Sequence, residues 1–246
     1  LGSWVADSSR VDNGTVDLPI DWLINVDAFA IPGEAYSRKE KISLPRTQTE
    51  ISVVLMGEIQ HELVNKVIQR LNHIQSSFRY QLEDEHIRLE PSHSVNWYSY
   101  ALLDNKAEQY SRTHKTQQHL ICILDQPIQN HWFGFWSSRR GIFTISDWER
   151  YFAPPSVKEF IAYYIANITL YFLTRLGNHE ETRSCLNDFC RKKTDIKLGM
   201  WSGQLCADCS MKIQAVVDRK EMSGAQLESI RRILQLVREE YQQQSG

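Results

Sequence analysis

The sequence predicts an α/β (α+β) fold: a mixed sheet with flanking helices, one long buried helix, and a small C-terminal module organised by four cysteines. Three observations predict it. Residues 51–82 read as strand, helix, strand. Residues 157–176 are apolar around most of a helical circumference. Cys185, Cys190, Cys206 and Cys209 are spaced C-x4-C-x15-C-x2-C, two close pairs separated by a loop.

The elements follow in order. Residues 1–45 are mixed and weakly periodic, with turn signals at Asp12-Asn13-Gly14 and Pro32-Gly33, and read as an N-terminal arm. Ile51 to Met56 is a β-branched run stopped by Gly57. Ile59, Leu63, Val67, Ile68 and Leu71 then recur at helical spacing. Phe78 to Leu82 alternates like a strand, and 83–93 is polar and loop-like. A helix is expected over Asn96–Tyr110, then strands at 119–124, 132–136 and 141–146, with Arg140-Gly141 as a tight turn between the last two.

Pro154-Pro155-Ser156 announces the long helix, and Ser156 with Glu159 forms an S-x-x-E capping box. It should run over 157–176 and stop at Gly177. The cysteine module occupies 184–217, its second pair leading into a helix over 208–220. Ser223 and Gln226 open a last helix within 218–246. Its apolar stripe, Leu227, Ile230, Ile233, Leu234, Val237 and Tyr241, suits either docking on a protein partner or packing on its own domain. Leu227, Ile230, Leu234, Val237 and Tyr241 are the candidate partner-binding residues.

Composition bounds the class. The chain has 246 residues, 42% hydrophobic and 24% charged, which suits one large globular domain or two small ones. A net charge of −2, from 28 basic and 30 acidic residues, gives no global signature of nucleic-acid or polybasic membrane binding. No signal peptide is read at Leu1-Gly2-Ser3-Trp4. Phe160–Thr174 is too short and too polar for a membrane span.

Four thiolates in this spacing suit a tetrahedral zinc ion. Two disulfides are the alternative. A C-x2-C pair rarely closes well on itself and nothing marks secretion, so one structural zinc per chain in a reducing, cytoplasmic setting is the expectation. Four sulfurs fill the coordination sphere, so that ion should brace the fold and perform no reaction. Cys122, inside Leu120–Leu124, reads as a buried, inert thiol.

The cysteine spacing resembles that of the archaemetzincins, zinc metalloproteases whose catalytic H-E-x-x-H helix precedes a structural four-cysteine site. The strand ending at Met56-Gly57 and the block up to Thr144-Ile145-Ser146 follow the same order of elements. The resemblance spans residues 50–213 and implies an archaemetzincin-like domain over 46–217. It also places Lys158-Glu159 at the opening of the catalytic helix. Ala162, Tyr163 and Ala166 then stand where the first His, the Glu and the second His would fall. Ser184 stands in place of the third His before Cys185.

No other catalytic motif replaces the missing one. His61-Glu62-Leu63-Val64-Asn65 lacks the second His. His179, Glu180 and Glu181, with Asp188 and Asp195, could form a site beside the metal. His114, His119 and His131 are isolated, and no phosphate loop or nucleophile elbow is present. Arg191, Lys192, Lys193 and Lys197, with Trp201, form a basic loop that could meet nucleic acid. The expectation is a non-catalytic, zinc-stabilised pseudoprotease that binds protein within a larger assembly. A zinc hydrolase with a rearranged site and a nucleic-acid-binding zinc module are the alternatives.

Overall fold

The computed structural model describes residues 48–90, 97–114 and 119–245. The expected N-terminal arm, Asn96 of the expected 96–110 helix and Gly246 lie outside them. The apolar run expected at 51–56 forms β1 (Thr49–Met56). Helix α1 (His61–Ile74) carries it to β2 (Phe78–Leu82), and α2 (Tyr100–His114) leads on to β3 (His119–Leu124). Strands β4 (Gly134–Trp136) and β5 (Arg140–Thr144) complete a five-stranded sheet in the order β2-β1-β3-β5-β4. Every pairing is parallel except β4 on β5, so β4 is an antiparallel edge.

The period-two rule decides which side chains face which layer. From β1 and β3, Ile51, Val53, Leu55, Ile121 and Ile123 join one core, while Val54, Met56, Leu120, Cys122 and Leu124 join the other. Helix α2 covers the second core through Leu103, Ala107 and Tyr110. Helix α1 covers the first, together with α4 (Val157–Thr174). Both faces of the central strands are buried, which is why they read as unbroken apolar runs.

Helix α4 lies in the core along most of its length, as its composition predicts. Gly141 permits the close approach, because a Cβ there would sit 2.4 Å from Ile168 Cγ2. The helix stops earlier than expected: Arg175 takes the left-handed cap at φ 56°, and Gly177 is not used. At the other end, Ser156 Oγ accepts from the Lys158 N–H, and its hydroxyl donates to Glu159. The Ser156 N–H goes to Gln244 Oε1 at 2.9 Å instead of closing the box. The tight turn before β5 falls at Ser137–Arg139 rather than at Arg140-Gly141, and Arg140 pairs with Asp104 at 2.9 Å. Helix α2 begins after Ser99, whose Oγ accepts from the Leu102 N–H; this cap signal lay unused in the sequence.

A short helix α3 (Trp148–Tyr151) precedes α4, and α5 (Ile196–Ser202), α6 (Ala207–Asp218) and α7 (Gly224–Ser245) follow it. The capping box expected at the start of α7 forms in both directions: Gln226 N–H to Ser223 Oγ at 3.1 Å, and Ser223 N–H to Gln226 Oε1 at 2.8 Å. The α7 stripe does not present a docking face. Leu227, Ile230, Ile233, Leu234 and Val237 are buried in the first core, and Tyr241 packs against it. Arg70 pairs with Glu240 at 2.5 Å beside them. An amphipathic helix buries its apolar stripe on the nearest apolar surface, and here that surface is its own domain. None of the described helices is long and apolar enough to cross a membrane.

Candidate metal centre

Three of the four cysteines converge. His179, Cys185, Cys206 and Cys209 place one donor atom each within 4.8 Å of one another, the only such group among the described residues. All five cysteines are unbridged. A tetrahedral zinc site of sulfur and imidazole has donor–donor edges of roughly 3.5–3.8 Å. Cys206 Sγ lies 3.6 Å from His179 Nε2. The donor set and its spacing fit one zinc ion, with His179, Cys185, Cys206 and Cys209 as the residues that would hold it.

The fourth member is not the one the spacing suggested. Cys190 lies outside the group, its thiol 3.8 Å from the Asp188 carbonyl. The cause is local pairing. His179 and Asp188 form a parallel bridge, with the His179 N–H on the Asn187 carbonyl at 3.1 Å and the Phe189 N–H on the His179 carbonyl at 2.9 Å. That bridge brings the imidazole to the metal position. Burial, with Asp188 and Asp195 nearby, pushes the Cys190 thiol up to about 12.

Backbone geometry supports the sulfurs. Cys185 Sγ accepts the N–H groups of Cys206 at 3.2 Å and Asn187 at 3.4 Å. Cys206 is the N-cap of α6 and Cys209 lies in its first turn, where free N–H groups and the helix dipole favour anions. Burial raises the Cys206 thiol, but the Cys209 N–H and hydrogen bonds from the neighbouring thiols and His179 outweigh it and hold it at about 7.

Helix α4 fastens this module to the domain. Tyr163 donates its hydroxyl to the Cys185 carbonyl at 3.2 Å, and Asn167 donates to the Leu186 carbonyl at 2.6 Å. Gly199 of α5 leaves room for that hydroxyl, since a Cβ there would sit 2.2 Å from it. Ala162, Tyr163 and Ala166 are all buried. The clamp has no sequence signature, because it joins residues some twenty positions apart.

The remaining candidates disperse. His114 stacks on Tyr110 and meets Glu85 at 2.9 Å. His119 stacks on Phe172 at 4.5 Å, and burial, with Arg175 and Arg139, lowers it to about 4. His61 stacks on His86, and Glu62 pairs with Lys66. Cys122 is fully buried and its thiol is raised by burial. The basic loop is partly consumed. Arg191 pairs with Glu180 at 3.0 Å, and Lys193 Nζ sits 4.4 Å from the centre of the Phe133 ring, lowered by burial to about 8.

No protein-family model and no curated protein matches this chain. Solved structures match it by fold. Archaemetzincin from Methanopyrus kandleri covers 72% of this chain and 99% of its own, with TM-score 0.52 and 14% identity. The fold is archaemetzincin-like. A zinc-dependent peptidase from Methanocorpusculum labreanum covers 66% of this chain and 99% of its own, with TM-score 0.51 and 11% identity. At such identities the likeness is one of architecture. Within the archaemetzincin-like fold, the centre described here keeps three cysteines of the expected four and adds a histidine.

Proposed function

We propose that this chain is a non-catalytic, zinc-braced relative of the archaemetzincin-like peptidases that works as a protein-binding subunit of a larger assembly in a reducing compartment. One observation carries the reading. On α4, where the resemblance places the catalytic helix, Ala162, Tyr163 and Ala166 offer no metal ligand, and Tyr163 is engaged with the Cys185 carbonyl. A peptidase of this type needs two His one turn apart and a Glu beside the bound water. The single donor group among the described residues fills four positions with protein atoms, which suits a structural rather than a catalytic zinc. When bound, zinc would supply the cross-link that a module with short helices lacks.

A protein partner is favoured over nucleic acid because Arg191 and Lys193 are committed internally. Leu198, Trp201 and Met211 stay exposed on α5 and α6. The hydrolase alternative draws on the zinc-dependent peptidase among the matched structures. Metal analysis of the zinc-saturated chain, with a digest of an unfolded protein substrate, separates the two. One zinc per chain and no cleavage above background is the expected result. Two zinc ions, or cleavage abolished by a chelator and restored by zinc, would sink the proposal.

A further inference from the structure

We infer that Asp188 is a positioning residue that makes His179, rather than Cys190, the fourth ligand of the metal. The inference concerns the ligand set of the proposed zinc centre and stands whether or not the chain is a peptidase.

Asp188 has a side chain only 1% exposed. Its Oδ2 accepts the N–H groups of Arg183 and Cys185, both at 3.0 Å, which pins the carboxylate against the start of the Cys185–Asp188 turn. Its Oδ1 has no hydrogen-bond donor of its own and lies 3.2 Å from His179 Nδ1. The same nitrogen lies 2.8 Å from the Glu181 carbonyl oxygen. A carbonyl and a carboxylate can only accept, so Nδ1 must carry the ring proton. The lone pair is then on Nε2, the atom that faces Cys206 Sγ at 3.6 Å. A carboxylate behind the distal nitrogen of a zinc-bound imidazole fixes its tautomer and orientation and raises its basicity. The Nδ1–H hydrogen bond goes to the Glu181 carbonyl at 2.8 Å, and the buried Asp188 Oδ1, which takes no hydrogen bond, faces the same nitrogen as a second negative group that favours the same tautomer.

The same residue keeps Cys190 away. The Asp188 carbonyl holds the Cys190 thiol at 3.8 Å while the Asp188 carboxylate faces His179. Two candidate ligands thus flank one residue, and its backbone and side chain sort them.

Asp188→Asn tests this because it keeps the shape. The Asn oxygen can still accept from Arg183 and Cys185, so a purely structural role predicts little change. Its NH2 would then face His179 Nδ1, a donor against a donor, and favour the wrong tautomer. Zinc affinity of the full chain, measured by competition with a chelator, should fall about 10–100-fold in Asp188→Asn. His179→Ala should fall at least as far, and the double variant should be no weaker than His179→Ala alone. Cys190→Ser should bind zinc within about twofold of the parent, as expected of a residue outside the ligand set. X-ray absorption on the parent loaded with zinc, which needs no variant to fold, should count three sulfurs and one nitrogen. Four sulfurs, loss of zinc in Cys190→Ser, or parent-like affinity in Asp188→Asn would each overturn the inference. None of these readouts depends on peptidase activity, so their failure and that of the proposed function are separable.

Discussion

Gly199→Ala sets two effects of similar size against each other. Gly199 lies inside α5, where alanine would ordinarily gain roughly 0.8–1 kcal/mol of helix stability. The structure argues for a loss instead. A Cβ at 199 would stand 2.2 Å from the Tyr163 hydroxyl oxygen, 3.2 Å from its ring carbon and 3.1 Å from the Cys185 carbonyl. Tyr163 is buried and its hydroxyl is tied to that carbonyl, so it has no open direction in which to swing. Overpacking of this kind costs about 1–3 kcal/mol. Displacing the hydroxyl adds about 0.5–1.5 kcal/mol for the lost hydrogen bond. Sterics therefore win, with a net loss of about 0.5–3.5 kcal/mol once the helical gain is subtracted. Urea unfolding of the zinc-loaded chain, followed by circular dichroism, reads the difference. Tyr163→Phe removes the clashing oxygen, so the double variant should recover most of the loss, a coupling of about 1–2 kcal/mol. A Gly199→Ala variant as stable as the parent, or a double variant with purely additive effects, would refute the clamp between α4 and the metal module.

Three further outcomes follow from the same geometry. Cys206→Ser should lose zinc and lower the melting temperature even though serine is a good residue at the N-cap of α6, so the drop reports the metal rather than the helix; unchanged zinc content and melting would remove Cys206 from the site. Leu234→Ala, at a fully buried position of α7, should cost about 2–5 kcal/mol in urea unfolding; a cost near zero would return the stripe to a docking role. His119 titrates near 4 in the folded chain against about 6.5 unfolded, so between those values the unfolded state holds the extra proton and stability falls as pH drops. About 2–3 kcal/mol should be lost from pH 6.5 to 4, allowing for the ring's partial exposure. His119→Phe, which keeps the stack on Phe172, should flatten that limb relative to the parent, and identical pH profiles would contradict the assignment.

Local pattern carried far in this chain. The near-continuous apolar runs Ile51–Met56 and Leu120–Leu124 specified strands buried on both faces, and the S-x-x-Q at Ser223 specified the start of α7, because both depend on neighbours in sequence. Boundaries set by longer contacts were less legible. The S-x-x-E at Ser156 closed only partly because Gln244, from the far end of the chain, supplies the acceptor. The end of α4 fell on a left-handed Arg175 that no propensity would select.

By itself the sequence determined the order of the strands and of the longer helices, though not the short α3 and α5, together with the buried character of α4 and the presence of a thiol-rich metal module. Tertiary structure alone decided that His179 joins Cys185, Cys206 and Cys209 while Cys190 stays apart, and that the α7 stripe is spent inside the domain. The reason is physical: side-chain periodicity and capping act over a few residues, whereas a ligand set and a packed face depend on distances between segments that only the closed chain brings together.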